Sequence, residues 1–253
     1  MARGSGLEAL TQMNRVALVT GGTRGIGRAV VEALFHAGDS VAFTGTTDDG
    51  VVKAEVDLSL IPSPQPLIPR PVGIVCDVRD RGAVELAMQT VIAQFGHLDV
   101  LINCAGVGVG APVSDLPHDE WSRIIDTNLT GVFNCCKAAV PHLRTRGGGW
   151  IINISSLSST GPFPGGAAYV ASKAGVNAFS DALMQEVRDD NIRVATILPG
   201  SVATGFSGRE PGSGADWKLR PEDVARAIVD ALEFPARSLP SRIEIRPSRP
   251  RKA

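Results

Sequence analysis

Residues 16–27 read VALVTGGTRGIG, and the order of elements that begins here sets the fold. The run Val16 to Thr20 is apolar up to its last residue. Glycines follow, and then Ile26, Ala29, Val30, Ala33, Leu34 and Ala37 recur at helical spacing, so the stretch is strand, tight turn, helix. Glycines permit positive backbone dihedrals and a close approach that a side chain would block. They also leave the first amides of the helix facing outward, where a phosphate can meet them. Gly21, Thr23, Arg24, Gly25, Ile26 and Gly27 are therefore candidates for a dinucleotide cradle, with an ordinary glycine-rich turn as the other reading. The spacing matches neither GxGxxG nor GxxxxGK[ST], and no Lys-Ser/Thr follows to hold a triphosphate with magnesium.

Outward from this unit the alternation continues. Strands are expected at 41–44, 72–75, 100–103, 151–154, 193–198 and 242–246. Helices are expected at 81–95, at 120–143 as one long element, at 171–187, and from Pro221 to about Leu232. Helices between nearly all strand pairs predict a single α/β domain, a doubly wound Rossmann fold whose parallel sheet is covered by helices on both faces, with ligands beyond the strand C-termini. The domain is expected over 15–247, with a flexible segment 1–14 before it, a substrate loop at about 204–220 and a tail 248–253. Pro62, Pro64, Pro66, Pro69 and Pro71 fall within ten residues, so any helix in 49–58 should be short and the crossover extended.

Composition narrows the partners. The formal net charge is −1 with 20% charged residues, which favours neither nucleic acid nor an anionic membrane. Cys76, Cys104, Cys135 and Cys136 form no CxxC pair and read as reduced thiols, and the four histidines form no ligand cluster, so no metal is expected. No apolar stretch is long enough to span a bilayer and no signal peptide opens the chain, so a cytoplasmic protein is expected.

The chain has a single tyrosine, Tyr169, and Lys173 lies four residues on, so a helix starting nearby puts both on one face. A phenol titrates near pH 10 and is a poor base at neutral pH, but a cationic lysine beside it favours the phenolate. Such a pair can give a proton to a developing alkoxide in reduction and remove one in oxidation. An interfacial tyrosine beside a solvated lysine is the plainer reading. Ser156 ends a strand and precedes Tyr169 through the turn GPFPGG at 161–166, so its hydroxyl can either join the site or cap a local turn. Arg24, with Gly45 and Thr46 where an acid would hold a ribose 2′-hydroxyl, favours NADP(H). Asp48 and Asp49 keep NAD(H) open, and a solvated Arg24 remains the bland alternative.

Taken in this order, TGGTRGIG, Ser156, Tyr169 and Lys173 resemble the short-chain dehydrogenase/reductase family, particularly members like the 3-oxoacyl carrier-protein reductases. The resemblance is strong over about 15–204. It implies that Tyr169 transfers the proton, that Lys173 binds the nicotinamide ribose and tunes Tyr169, that Ser156 bonds the substrate oxygen, and that Asn128 holds a water linking Lys173 to solvent. It further implies cofactor contacts from Asp77 and Val78, from Asn103, Ala105 and Gly106, and from Pro199, Gly200, Val202 and Thr204. Asp77 alone reads equally well as a strand cap. The resemblance also implies a homodimer or homotetramer and a small ketone, aldehyde or 3-oxoacyl substrate. Two departures stand out: the proline-rich crossover, taken to replace much of the usual helix, and an ending IEIRP at 243–247 in place of a glycine-rich VDGG. Arg209 could meet an anionic substrate group. A cofactor-binding sensor without turnover is the rival reading; a serine hydrolase lacks a GxSxG elbow.

Overall fold

The computed structural model describes residues 14–64, 68–108, 110–206 and 216–249. Seven parallel strands form one sheet in the order β3-β2-β1-β4-β5-β6-β7. They are β1 (Val16–Thr20), β2 (Ser40–Gly45), β3 (Val72–Val75), β4 (Val100–Asn103), β5 (Gly149–Ile154), β6 (Ile192–Pro199) and β7 (Arg242–Ile245). The helices are α1 (Gly25–His36), α2 (Asp48–Ser59), α3 (Arg81–Phe95), α4 (His118–Ile125), α5 (Gly131–Arg146), α6 (Ala167–Val187) and α7 (Pro221–Leu232). The chain winds outward from β1 in both directions, so the strand order reverses between β1 and β4 and opens a crevice there.

Two-residue alternation along the strands divides the core. Ala17, Val19, Val41, Phe43, Ile102 and Ile152 pack with Val30 and Leu34 of α1, Leu58 of α2 and Ile228 of α7. Val16, Leu18, Leu101 and Ile151 face the opposite way, onto Val91 of α3, Leu143 of α5 and Val176 of α6. Both faces of the central strands are dry, which is why they read as continuous apolar runs.

Two expected elements differ. The prolines do not shorten the second crossover helix: α2 has 12 residues, begins at a Thr47 cap whose hydroxyl accepts from Gly50 N at 3.3 Å, and ends before Pro62. The described residues beyond it, 60–64 and 68–71, carry no helix or strand. The single long helix expected over 120–143 is three pieces, because a π turn at Asp126–Thr130 separates α4 from α5. Among the described residues, no helix is long and apolar enough to cross a membrane. Arg209, Pro66 and the segments 1–13, 207–215 and 250–253 lie outside the described residues.

Candidate active site

The cradle is tied to the strands on each side of β1. Thr20 Oγ1, at the polar end of β1, accepts from Cys104 N at 3.0 Å and Ala105 N at 3.1 Å, holding the turn after β4. Gly22 N donates to Thr44 O at 2.9 Å and Gly21 N to Thr44 Oγ1 at 3.3 Å, holding the end of β2. Gly21 has φ +68, and a Cβ there would stand 2.8 Å from Cα of Ala105; a Cβ on Gly27 would stand 2.2 Å from the oxygen of Gly21. Only glycine permits this packing. Helix α1 has no side-chain cap at Arg24 and no acid in its first turn, so its leading amides are left to a ligand.

A cleft of about 1590 Å³ runs from this cradle across the C-terminal ends of the strands. It is bordered by the candidate cofactor residues Gly21, Thr23, Arg24, Gly25, Ile26, Gly27, Thr46, Asp77, Val78, Ala105 and Gly106. Ser156, Tyr169, Lys173, Pro199, Gly200, Val202 and Thr204 border the same cleft. Its length, its amide-lined end and the absence of an acid at Gly45 and Thr46 fit an extended dinucleotide phosphate, with Arg24 exposed beside the cradle. Asp77 pairs with Arg79 at 2.6 Å, and the cap of α3 is Asp80 instead.

At the reacting end, β5 delivers Ser156 in extended backbone, where its Oγ accepts from Ser158 N at 3.1 Å. That acceptance leaves its O–H to donate elsewhere. Tyr169 sits in the first turn of α6. Burial pushes its phenol above the ordinary value, and a side-chain hydrogen bond with Ser156 pulls the other way. Lys173, one turn on, is 5% exposed; its Nζ donates to Ile154 O at 2.7 Å and lies 6.0 Å from the Tyr169 ring centroid. Burial lowers its pKa to about 8. The expected downward pull of Lys173 on the phenol is therefore not what dominates here: desolvation of Tyr169 wins, and the ammonium is engaged by a backbone oxygen.

The two asparagines lie behind the cleft. Asn103, expected to touch cofactor, is 2% exposed and its amide donates to Asn153 Oδ1 at 2.8 Å and Cys136 Sγ at 3.3 Å, because the last β4 side chain points into the α5 and α6 layer. Asn128 lies in the π turn, fully buried. Its Oδ1 accepts from Val107 N at 2.8 Å, and its Nδ2 donates to Val107 O at 2.9 Å and Ser172 Oγ at 3.0 Å. Both amide hydrogens are engaged by protein, so this side chain fixes Val107 beside the cleft and Ser172 beside Lys173; the water expected of it would need another of its atoms. Burial pushes the Cys104 thiol up to about 12, which keeps it neutral.

Beyond β6, Gly200 N donates to Ile245 O at 2.8 Å, and the bridge of Val202 to Leu219 draws together the two ends of the loop. Thr204 lies beside Gly25, and Arg24 donates to Gly205 O at 3.5 Å, so the loop base touches the cradle. Sequence reasoning missed Phe163 as a cleft residue, Phe206 as a neighbour of Tyr169, Ile154 O as the partner of Lys173, and Thr20 as the anchor of the turn after β4. Thr20 alone left a signal, a polar residue ending an apolar strand.

Residues 15–211 match the family described as short chain dehydrogenase. The chain is 37% identical over 225 residues to a 3alpha-hydroxysteroid dehydrogenase of Mediterraneibacter gnavus, a match covering 85% of this chain and 88% of that protein. It is 35% identical over 227 residues to a 3-oxoacyl-[acyl-carrier-protein] reductase of Chlamydia muridarum, covering 86% and 89%. Among solved structures, an alcohol dehydrogenase from the archaeon Thermococcus sibiricus, complexed with 5-hydroxy-NADP, superposes with a TM-score of 0.84 at 28% identity, covering 93% of this chain and 98% of that one. With a seven-stranded doubly wound sheet, a glycine cradle at the first crossover and a match over most of its length, this chain belongs to the short-chain dehydrogenase family of oxidoreductases.

Proposed function

We propose that this protein is an NADP(H)-dependent enzyme that interconverts a carbonyl and an alcohol on a small ketone, aldehyde or 3-oxoacyl compound. The observation that carries the reading is that Ser156, Tyr169 and Lys173 border one dinucleotide-sized cleft, with Lys173 Nζ 6.0 Å from the Tyr169 ring and tied to Ile154 O two residues before Ser156. The cofactor, when bound, supplies or accepts the hydride. In reduction, Ser156 holds the substrate oxygen and Tyr169, kept protonated by burial, gives its phenolic proton to that oxygen as negative charge develops. In oxidation Tyr169 takes the proton back. Lys173 would hold the ribose side of the cofactor and supplies positive charge near the phenol, while Asn128 positions Ser172 and Val107 around it.

NADP(H) over NAD(H) rests on Arg24 beside a β2 end without a carboxylate, and the NADP-type ligand of the Thermococcus sibiricus dehydrogenase supports the same choice. Relatives named for a hydroxysteroid and for a 3-oxoacyl group both act at a secondary alcohol or its ketone, which supports the reaction type more than either substrate. The test is nicotinamide absorbance with NADPH or NADH against a panel of ketones, aldehydes and 3-oxoacyl thioesters. Turnover with NADPH is expected; a folded protein that binds NADPH and reduces nothing in the panel, and oxidises none of the matching alcohols, rejects the reading.

A further inference from the structure

The geometry points to Phe206 and Phe163 as the residues that select the substrate, making the reacting end specific for a ketone carried on a bulky apolar ring. This inference rests on the proposed role of Tyr169. The Phe206 ring meets the Tyr169 ring at 5.8 Å between centroids and 60° between planes, an edge-on contact. Its backbone N–H lies 3.4 Å from Thr204 Oγ1, just past the bridge that fixes the loop base, so the ring is carried on a tethered piece of chain. Phe163 lies on the opposite side in sequence, in the turn before α6. Its ring occupies the space that a Cβ on Gly166 would fill, 2.7 Å away, which places it against the N-terminal end of the helix bearing Tyr169.

Both rings border the same cleft as Ser156 and Tyr169, together with Val107 and Leu157. Both are half-exposed, 37% for Phe206 and 48% for Phe163, so each has apolar surface left to cover. Three of the arginines that border the cleft are paired with carboxylates. Arg79 is held by Asp77 at 2.6 Å, Arg123 by Glu120 at 2.7 Å and Arg246 by Glu244 at 2.8 Å. A flat alicyclic or aryl ketone, its oxygen at Ser156 and Tyr169, covers aromatic surface that a short acyl chain would leave wet.

The experiment compares 1-decalone, 2-butanone and an acetoacetyl thioester as NADPH-dependent substrates of the wild type, Phe206→Ala, Phe206→Leu and Phe163→Ala. 1-Decalone is expected to have the highest kcat/KM of the three. Each alanine variant should lose at least ~10-fold more kcat/KM on 1-decalone than on 2-butanone, mainly through KM, with Phe206→Leu recovering part of the loss. Thermal unfolding of each variant establishes that it is folded. Equal losses on the two ketones, or a wild-type preference for 2-butanone or the thioester, overturns the selectivity while leaving the oxidoreductase reading intact. Turnover of none of the three, nor of any other carbonyl compound, by wild type that binds NADPH overturns both.

Discussion

Lys173 Nζ donates at 2.7 Å to the backbone oxygen of Ile154, two residues before Ser156, so the lysine side chain ties α6 to the end of β5. The tie holds a nearly unexposed amine whose pKa falls from 10.5 to about 8. Between those values the unfolded chain binds more protons than the folded one, so this group makes stability rise with pH from about 8 to 10.5; below pH 8 the full penalty is present. A shift of that size corresponds to roughly 3 kcal/mol at neutral pH, reduced by the lost hydrogen bond when the amine is removed. Lys173→Met is therefore expected to raise Tm by about 5 °C at pH 7, and to gain less at pH 10.5, while turnover falls. Scanning calorimetry at the two pH values checks it; a lower Tm at pH 7 contradicts the account.

Tyr169→Phe removes the only phenol in the chain and should lower turnover at least ~100-fold with NADPH affinity retained. Because burial raises the phenol's pKa, the protonated form needed for reduction persists through the neutral range, whereas the phenolate needed for oxidation grows as pH rises. Alcohol oxidation by the wild type should accelerate from pH 7 to 10, and ketone reduction should not. Steady-state rates in both directions across that range decide the matter.

Arg24 is exposed at the mouth of the cradle, and its side chain donates to Gly205 O at 3.5 Å. Arg24→Ala should weaken NADPH by roughly 10-fold or more and leave NADH nearly unaffected, the size of a charge-assisted hydrogen bond. Calorimetric titration with both cofactors measures the difference, and an equal effect on the two would show that Arg24 does not read the 2′-phosphate.

Two glycine substitutions separate packing from backbone strain. At Gly27 a new Cβ meets the oxygen of Gly21 at 2.2 Å, so Gly27→Ala should cost about 2 kcal/mol or more and depress cofactor binding. At Gly96, with φ +84 and nothing within 4 Å, alanine brings only the left-handed strain of about 1 kcal/mol and no loss of affinity. Chemical denaturation and NADPH titration of the pair test this; equal effects on affinity would refute the cradle geometry.

Phe133 on α5 is 45% exposed and packs edge-on to Phe179 of α6 at 6.3 Å, with Lys137 over its ring at 5.7 Å. We expect this face to be covered by a second copy in a dimer or tetramer. A single-chain mass in light scattering at micromolar concentration would rule that out.

The strand and helix alternation was legible because the central strands, buried on both faces, read as short continuous apolar runs bounded by turn residues, while the helices, buried on one face, read at helical spacing. Tyr169, Lys173 and Ser156 were legible as a set from their order along the chain. The full length of α2 was obscured by the prolines, which sit just past its end and bias attention toward irregular chain. The π turn at Asp126–Thr130 has no compositional mark, since residues at helical spacing read alike with or without one extra residue in a turn. Partners supplied by backbone, such as Ile154 O, cannot be read from side-chain identity at all. The inward turn of Asn103 follows from strand parity, which depends on where β4 ends.

That wide turn also makes chain length there a matter of phase. Each α-helical residue advances the azimuth by about 100° and a π turn takes one residue more, so the wide turn absorbs its extra residue and leaves α5 near the phase that an unbroken helix one residue shorter would give it. Val132, Cys136 and Leu143 thereby keep their place in the core, and the extra residue widens only the turn in which Asn128 meets Val107. Deleting one residue at 126–130 should thus leave the fold standing and cost the Asn128 contacts, whereas inserting one should turn α5 by about 100° and expose its core face.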